Sequence, residues 1–162
     1  MVTTGHTSLQ LDPPKTETME SRPQNLVWVN DVAMGCDHIG NFDIHAIDAA
    51  LWVLGRRLVV ASGASSIQRV DPHGDSRDIC AVVYEYADGL IHHHAGQALN
   101  NNSAGELSAS IHGTEANAFL TYWCKSFLRG GRQHFGGGAV EDLYAAGASR
   151  NIGRFYQEVT SG

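Results

Sequence analysis

The first 24 residues show little apolar pattern. Thr, Ser, Pro and Glu dominate, and Pro13, Pro14 and Pro23 punctuate the run, so 1–24 reads as a flexible lead-in. The pattern changes at Leu26. Leu26, Trp28, Asn30, Val32 and Met34 occupy one parity; Val27, Val29, Asp31 and Ala33 occupy the other. Much of both sets is apolar, which predicts a strand buried on both faces at its start. The period then shifts. Ile44, Ile47, Leu51 and Leu54 recur at 3/4 spacing, Asn41 or Asp43 can cap the run, and Gly55 stops it, so a helix is predicted there.

Beyond Gly55 alternation returns. Strands are predicted over 57–62, 79–86, 90–97, 106–112, 118–124 and 126–130. Ala87-Asp88-Gly89 is a hairpin turn, because Asp-Gly supplies the positive φ that primed turns need. Residues 71–75 and Gly113-Thr114-Glu115 read as turns, and Gly136-Gly137-Gly138 as a connector. The tail regains 3/4 spacing through Val140, Leu143, Tyr144, Ala148, Ile152, Phe155, Tyr156 and Val159, which predicts a closing helix. The sum is an α+β domain over 25–162: a mostly antiparallel, open-faced sheet with helices packed on one face. Ser108, Ser110 and His112 share a parity that suits the free face, wet or self-associating.

Composition narrows the partners. The 162 residues are 43% hydrophobic, enough for a core, and carry 11 basic against 17 acidic side chains. Lys15 and Lys125 are the two lysines, and no Lys/Arg cluster offers a phosphate-backbone footprint, so no nucleic-acid partner is expected. No apolar run reaches membrane-spanning length and 1–10 is polar, so neither a membrane partner nor a signal peptide is expected. Cys36, Cys80 and Cys124 are odd in number and widely spaced. They read as reduced, mostly buried thiols of a cytoplasmic protein.

The chemistry-bearing residues gather on the predicted helix. His45, Asp48 and Trp52 fall at i, i+3 and i+7, which makes His45 and Asp48 neighbours. A histidine titrates near neutral pH and suits proton exchange; Asp48 can fix its tautomer or form a plain surface pair. In His92-His93-His94 the outer two share a strand face. Two such residues need a third ligand from elsewhere, such as His38 or His112, and no HExxH or Cys/His spacing supplies one. No metal ligand is assigned, and a metal-dependent hydrolase rests on that strand alone. The adjacent Cys36 and His38 are not read as a nucleophile pair. Gly136–138 lacks the strand-before, helix-after setting of a dinucleotide loop. Trp28, Trp52 and Trp123 read as core or interface residues.

Four segments in order carry a resemblance. They are Gly40-Asn41-Phe42-Asp43-Ile44-His45-Ala46-Ile47-Asp48 with Trp52 and Gly55, then Ala87-Asp88-Gly89, then Ile111-His112-Gly113-Thr114-Glu115, then Arg150-Asn151-Ile152-Gly153-Arg154-Phe155. Together they resemble the C-terminal domain of the glucose–fructose oxidoreductase/inositol dehydrogenase (Gfo/Idh/MocA) family, of the dihydrodipicolinate-reductase-like type. The resemblance implies a two-domain oxidoreductase. Its Rossmann domain binds NAD or NADP; its second domain binds a sugar, polyol or related hydroxyl compound and oligomerises through the open sheet.

On that resemblance His45 matches the acid/base histidine and Asp48 the aspartate that follows it. Asn41 stands where many members carry Asp, and can orient a hydroxyl but not exchange its proton. Asp43 and His94 join the substrate-binding set. The Rossmann domain and its Glu-Lys-Pro lysine have no counterpart, so no cofactor-binding residue is assigned and NAD(P) is not expected to bind this chain alone. The chain reads as a truncated form of such an enzyme, inactive by itself. The competing reading is a non-enzymatic module that assembles with itself or with relatives.

Overall fold

The computed structural model describes residues 1–8, 30–70, 74–99, 101–132, 134–138 and 142–161. Its strands are β1 (Val2–Ser8), β2 (Leu58–Ser66), β3 (Ile79–Tyr86), β4 (Ile91–Ala98), β5 (Glu106–His112), β6 (Ala116–Thr121), β7 (Ser126–Gly130) and β8 (Phe135–Gly137). They form one sheet in the order β2-β3-β4-β1-β5-β6-β7-β8. Only β1 and β4 run parallel; the other neighbours are antiparallel. The expected open, mostly antiparallel sheet is present, and β3 and β5 fall on the residues predicted. Gly89 closes the β3–β4 hairpin at φ 80°, its N–H bonded to the Tyr86 carbonyl at 3.0 Å.

The lead-in expectation is corrected at its start. Val2–Ser8 is a central strand, hydrogen-bonded on both edges. Val2, Thr4 and His6 are all buried on one face. Val2, Thr3, Thr4 and Thr7 are β-branched and fit a pleated surface, but their hydroxyls hide the strand from a reading of apolar pattern. Residues 9–24 lie outside the described residues, as do Leu26, Val27, Trp28 and Val29 of the expected strand. Val32 and Met34, read as its continuation, lie instead in the short helix α1 (Val32–Gly35). Asp31 caps α1, accepting from the Met34 N–H at 3.1 Å, and this local bond outcompetes the extended form.

The predicted central helix exists but starts earlier. A single π-turn, Ile39–Asp43, runs straight into α2 (Ile44–Leu54). Neither Asn41 nor Asp43 caps it: both already lie within the helical path. Gly55 ends α2 in the left-handed region at φ 61°, its N–H bonded to the Leu51 carbonyl. Ala46, Ile47 and Ala50 form the buried face, lying across β1 and β5, whereas Ile44 of the expected stripe is largely exposed. The centre of the core is Val2, Ala50 and Ala109, ringed by Leu54, Leu90, Ile111 and Leu120.

Three further expectations change. Gly136 and Gly137 belong to edge strand β8, not to a connector. Trp52 and Trp123 are exposed, so neither is a core residue; Cys36 and Cys124 are exposed too, and only Cys80 is buried. The closing helix α3 (Leu143–Thr160) forms, yet Tyr144, Ile152, Phe155, Tyr156 and Val159 remain 65–70% exposed. No described helix is long and apolar enough to cross a membrane. Because Val2 sits at the centre of the core and Trp52 is 85% exposed, their truncations separate cleanly. Val2→Ala is expected to cost about 2 kcal/mol in urea denaturation and Trp52→Ala less than about 0.5 kcal/mol. Equal losses would contradict a central β1.

Candidate functional site

The pleat collects the site. On the face under the helices, Cys80, Gly96 and His6 form one row across β3, β4 and β1. The next row is Val82, His94 and Thr4, and the one after it Tyr84, His92 and Val2. Gly96 has no side chain, and it stands between Cys80 and His6. Asp43, from the π-turn above, lowers its carboxylate into that gap. A Cβ on residue 96 would overlap both carboxylate oxygens.

Asp43 is fully buried and ringed by polar side chains. His6 Nδ1 lies 2.7 Å from Oδ1 and His38 Nε2 3.9 Å from it. His94 Nε2 lies 3.1 Å from Oδ2, and the Cys80 thiol donates to Oδ2 at 3.0 Å. Yet His6 Nδ1, His38 Nε2, His94 Nε2 and Asp43 Oδ1 are buried without a hydrogen-bond partner. They approach one another at ion-pair distance without the alignment a hydrogen bond needs. Each such orphan ordinarily costs about 1–3 kcal/mol.

A second layer holds this one. The Thr4 hydroxyl sits between His94 Nδ1 at 2.8 Å and His92 Nε2 at 2.7 Å, and His92 Nδ1 meets the Tyr86 hydroxyl at 3.4 Å. Phe42 stacks on His6 with ring centroids 5.7 Å apart and tilts against His38 at 5.0 Å. His38 is delivered by two consecutive non-glycine residues in the left-handed region, Cys36 at φ 66° and Asp37 at φ 72°. That conformation is uncommon and persists where surroundings enforce it. Here Asp37 Oδ1 accepts from the backbone N–H groups of His38 and Arg77 at 2.7 and 2.8 Å, and the Asn41 amide donates to the Asp37 carbonyl.

The electrostatics follow from burial and from Asp43. Burial alone would raise the Asp43 carboxyl, but contacts with His6, His94 and Cys80 outweigh it and hold it well below the usual carboxylate range. Burial, with the hydrogen bond to Asp43 and its charge, pushes the Cys80 thiol up to about 12. Burial also lowers His38, against the pull of Asp43, and lowers His92 to about 4 with help from His94 and His93. Cys80 is therefore a hydrogen-bond donor, not a nucleophile.

The sequence-selected residues separate into two groups. Asp43 and His94 come together inside the cluster, fully buried, so they are not on the surface where a substrate would meet them. His45 and Asp48 point outward on α2, with the His45 ring 5.8 Å from Tyr122. No hydrogen bond among the described residues joins them. Asn41 lies half-buried and is spent on Asp37. Of the ligands considered for the His-rich strand, His38 reaches His94's cluster, while His112 is exposed and faces Asn117. His6 and Cys80 were missed. The Val2-Thr3-Thr4 β-branched run was the available signal for His6.

No family model matches the sequence, and no curated protein matches it. Solved structures do. A protein described as a candidate oxidoreductase from Thermotoga maritima superposes with TM-score 0.66 at 16% identity, over 94% of this chain and 44% of its own. An aldose-aldose oxidoreductase from Caulobacter crescentus, complexed with glycerol, gives 0.62 at 16%, over 87% and 39%. Levoglucosan dehydrogenase in complex with NADH and levoglucosan gives 0.62 at 13%, over 83% and 37%. The chain thus spans about two fifths of the length of these structures.

Gly96→Ala tests the packing of the cluster. It is expected to expel the Asp43 carboxylate and cost about 2–4 kcal/mol in urea denaturation, whereas Ala95→Gly on the open face should cost about 1 kcal/mol or less. The fold is one that these oxidoreductase structures contain over about two fifths of their length.

Proposed function

We propose that these residues form the substrate-binding and oligomerisation domain of an NAD(P)-dependent oxidoreductase acting on a sugar, polyol or related hydroxyl compound. The observation that carries this reading is the outward face of α2. It displays His45 and Asp48 on a fold shared with an aldose-aldose oxidoreductase and a levoglucosan dehydrogenase. In this reading His45 accepts the proton of the substrate hydroxyl, and Asp48, one turn on, orients the hydroxyl or the ring. Asn41 is a positioning residue, because its amide already holds the turn that starts the helix.

The described residues do not fit a dinucleotide. The glycine triplet closes an edge strand, and no described strand leads through a glycine-rich turn into a helix. NAD or NADP would in this reading be held by a nucleotide-binding domain other than these residues. Titration of the chain with mannitol, myo-inositol and levoglucosan, followed by histidine-ring NMR, is expected to shift the His45 resonances. His45→Ala should weaken binding at least tenfold. Micromolar NADH binding by this chain, or a full sugar panel that leaves His45 unmoved, would sink the reading.

The association part rests on exposed apolar side chains. Tyr144, Ile152, Phe155, Tyr156 and Val159 on α3, with Val59 and Val60 on edge strand β2, are exposed apolar side chains of the kind that association covers. This also favours the non-enzymatic assembly module as the second reading. Light scattering is expected to give a dimer or larger species; a monomer at high concentration would remove both association claims.

A further inference from the structure

We propose that His6, His38, His94 and Asp43 bind a divalent first-row transition-metal ion, Zn²⁺ being the first candidate, in a closed structural site. Four buried polar atoms, His6 Nδ1, His38 Nε2, His94 Nε2 and Asp43 Oδ1, gather at the Asp43 carboxylate without a hydrogen-bond partner, His6 and His38 beside Oδ1 and His94 beside Oδ2. In the triads His6–His38–Asp43 and Asp43–Cys80–His94 the ligand atoms lie within 4.8 Å of one another. The approaches to Asp43 Oδ1, 2.7 Å from His6 Nδ1 and 3.9 Å from His38 Nε2, bracket the spacing of about 3.4 Å between ligands on a tetrahedral zinc with bonds of about 2.0–2.1 Å, and His94 Nε2 lies 3.1 Å from the other carboxylate oxygen. A shared cation turns the misaligned contacts into ligand–ligand distances.

The donor chemistry selects the class of ion. Three imidazole nitrogens with one carboxylate oxygen suit zinc and its transition-metal neighbours; calcium and magnesium take oxygen. The surroundings put the lone pairs where a metal needs them. The Thr4 hydroxyl bridges His94 Nδ1 and His92 Nε2; with the His94 proton on Nδ1 and donated to Thr4, His94 Nε2 is left bare beside the Asp43 carboxylate. The Cys80 thiol occupies Asp43 Oδ2 and so leaves Oδ1 for the ion. Burial closes the site: His6 and His38 are 6% exposed, Asp43 and His94 0%. Such closure marks a structural rather than a catalytic centre. The ion would fasten β1, the π-turn and β4, which lie far apart in sequence.

The test uses the full chain without an affinity tag. Metal analysis after purification is expected to find about one equivalent of a transition metal per chain. After chelator dialysis, titration with CoCl₂ should reach an end point at one equivalent, with the intense visible bands of tetrahedral Co²⁺. His6→Ala and His38→Ala should weaken Co²⁺ binding at least 100-fold. Thr4→Val, which removes the hydroxyl shared by His94 and His92 and leaves every ligand in place, should weaken it about 10–100-fold. His93→Ala, on the opposite sheet face, should leave it unchanged. Should the ligand variants fail to fold, the wild-type titration decides alone. A folded wild-type chain with neither bound metal nor a Co²⁺ end point overturns the proposal, as does equal loss in His93→Ala. None of these readouts depends on oxidoreductase activity, so this proposal and the preceding one fail separately.

Discussion

A carboxylate buried over a β-sheet is the constraint on which the rest depends. Asp43 is fully buried in a position that only a side-chain-free residue beneath it permits. Burial opposes its charge, and the surrounding donors more than reverse that opposition. Each neighbour of the carboxylate comes from a different element: His6 from β1, His38 from the turn before the helix, Cys80 from β3 and His94 from β4. Removing any one leaves buried polarity behind, so these elements are energetically coupled and not merely adjacent.

The loops around the helix start obey the same logic of local satisfaction. Arg69 and Asp78 form a buried ion pair at 3.1 Å, and Asp78 also accepts from the Gln68 and Arg69 backbone N–H groups. The Arg69 guanidinium donates to the Ser76 and Gly74 carbonyls. The Asn30 carbonyl takes the Ser76 N–H, and Asp75 takes the Val32 N–H. This lacing fixes 30–38 against 74–78. It supplies the over-determination that lets Cys36 and Asp37 stay in the left-handed region and present His38.

How much of this was legible in sequence depended on whether burial was apolar. β3, β5, the Asp88-Gly89 turn and the helix ending at Gly55 carry clean periods or turn chemistry, and they appear where those signals put them. β1 was illegible because its buried parity reads Val2, Thr4, His6: a polar row that the core accepts only once Asp43 and His94 are present. Likewise His92 and His94 were correctly put on one face, but nothing in spacing reveals that Gly96 opens a slot beside them for a residue fifty positions earlier. Non-local polar complementarity has no period, and period is what a sequence shows.

The helix itself separates two roles. Asp43, the last residue of the π-turn, is buried, whereas His45, two residues on in α2, is exposed, so the two face opposite ways. The inward one is locked into the sheet; the outward one is free to meet a ligand. The π-turn at Ile39–Asp43 widens the helix where Asp43 must reach the gap over Gly96, and it ends as regular α-helix begins at Ile44. The orientation of His45 and Asp48 is thus set from below, by the depth to which the Asp43 carboxylate is seated. Asp43, seated in the sheet, thereby fixes the angle at which the outward face is held, because a single residue, Ile44, separates it from His45.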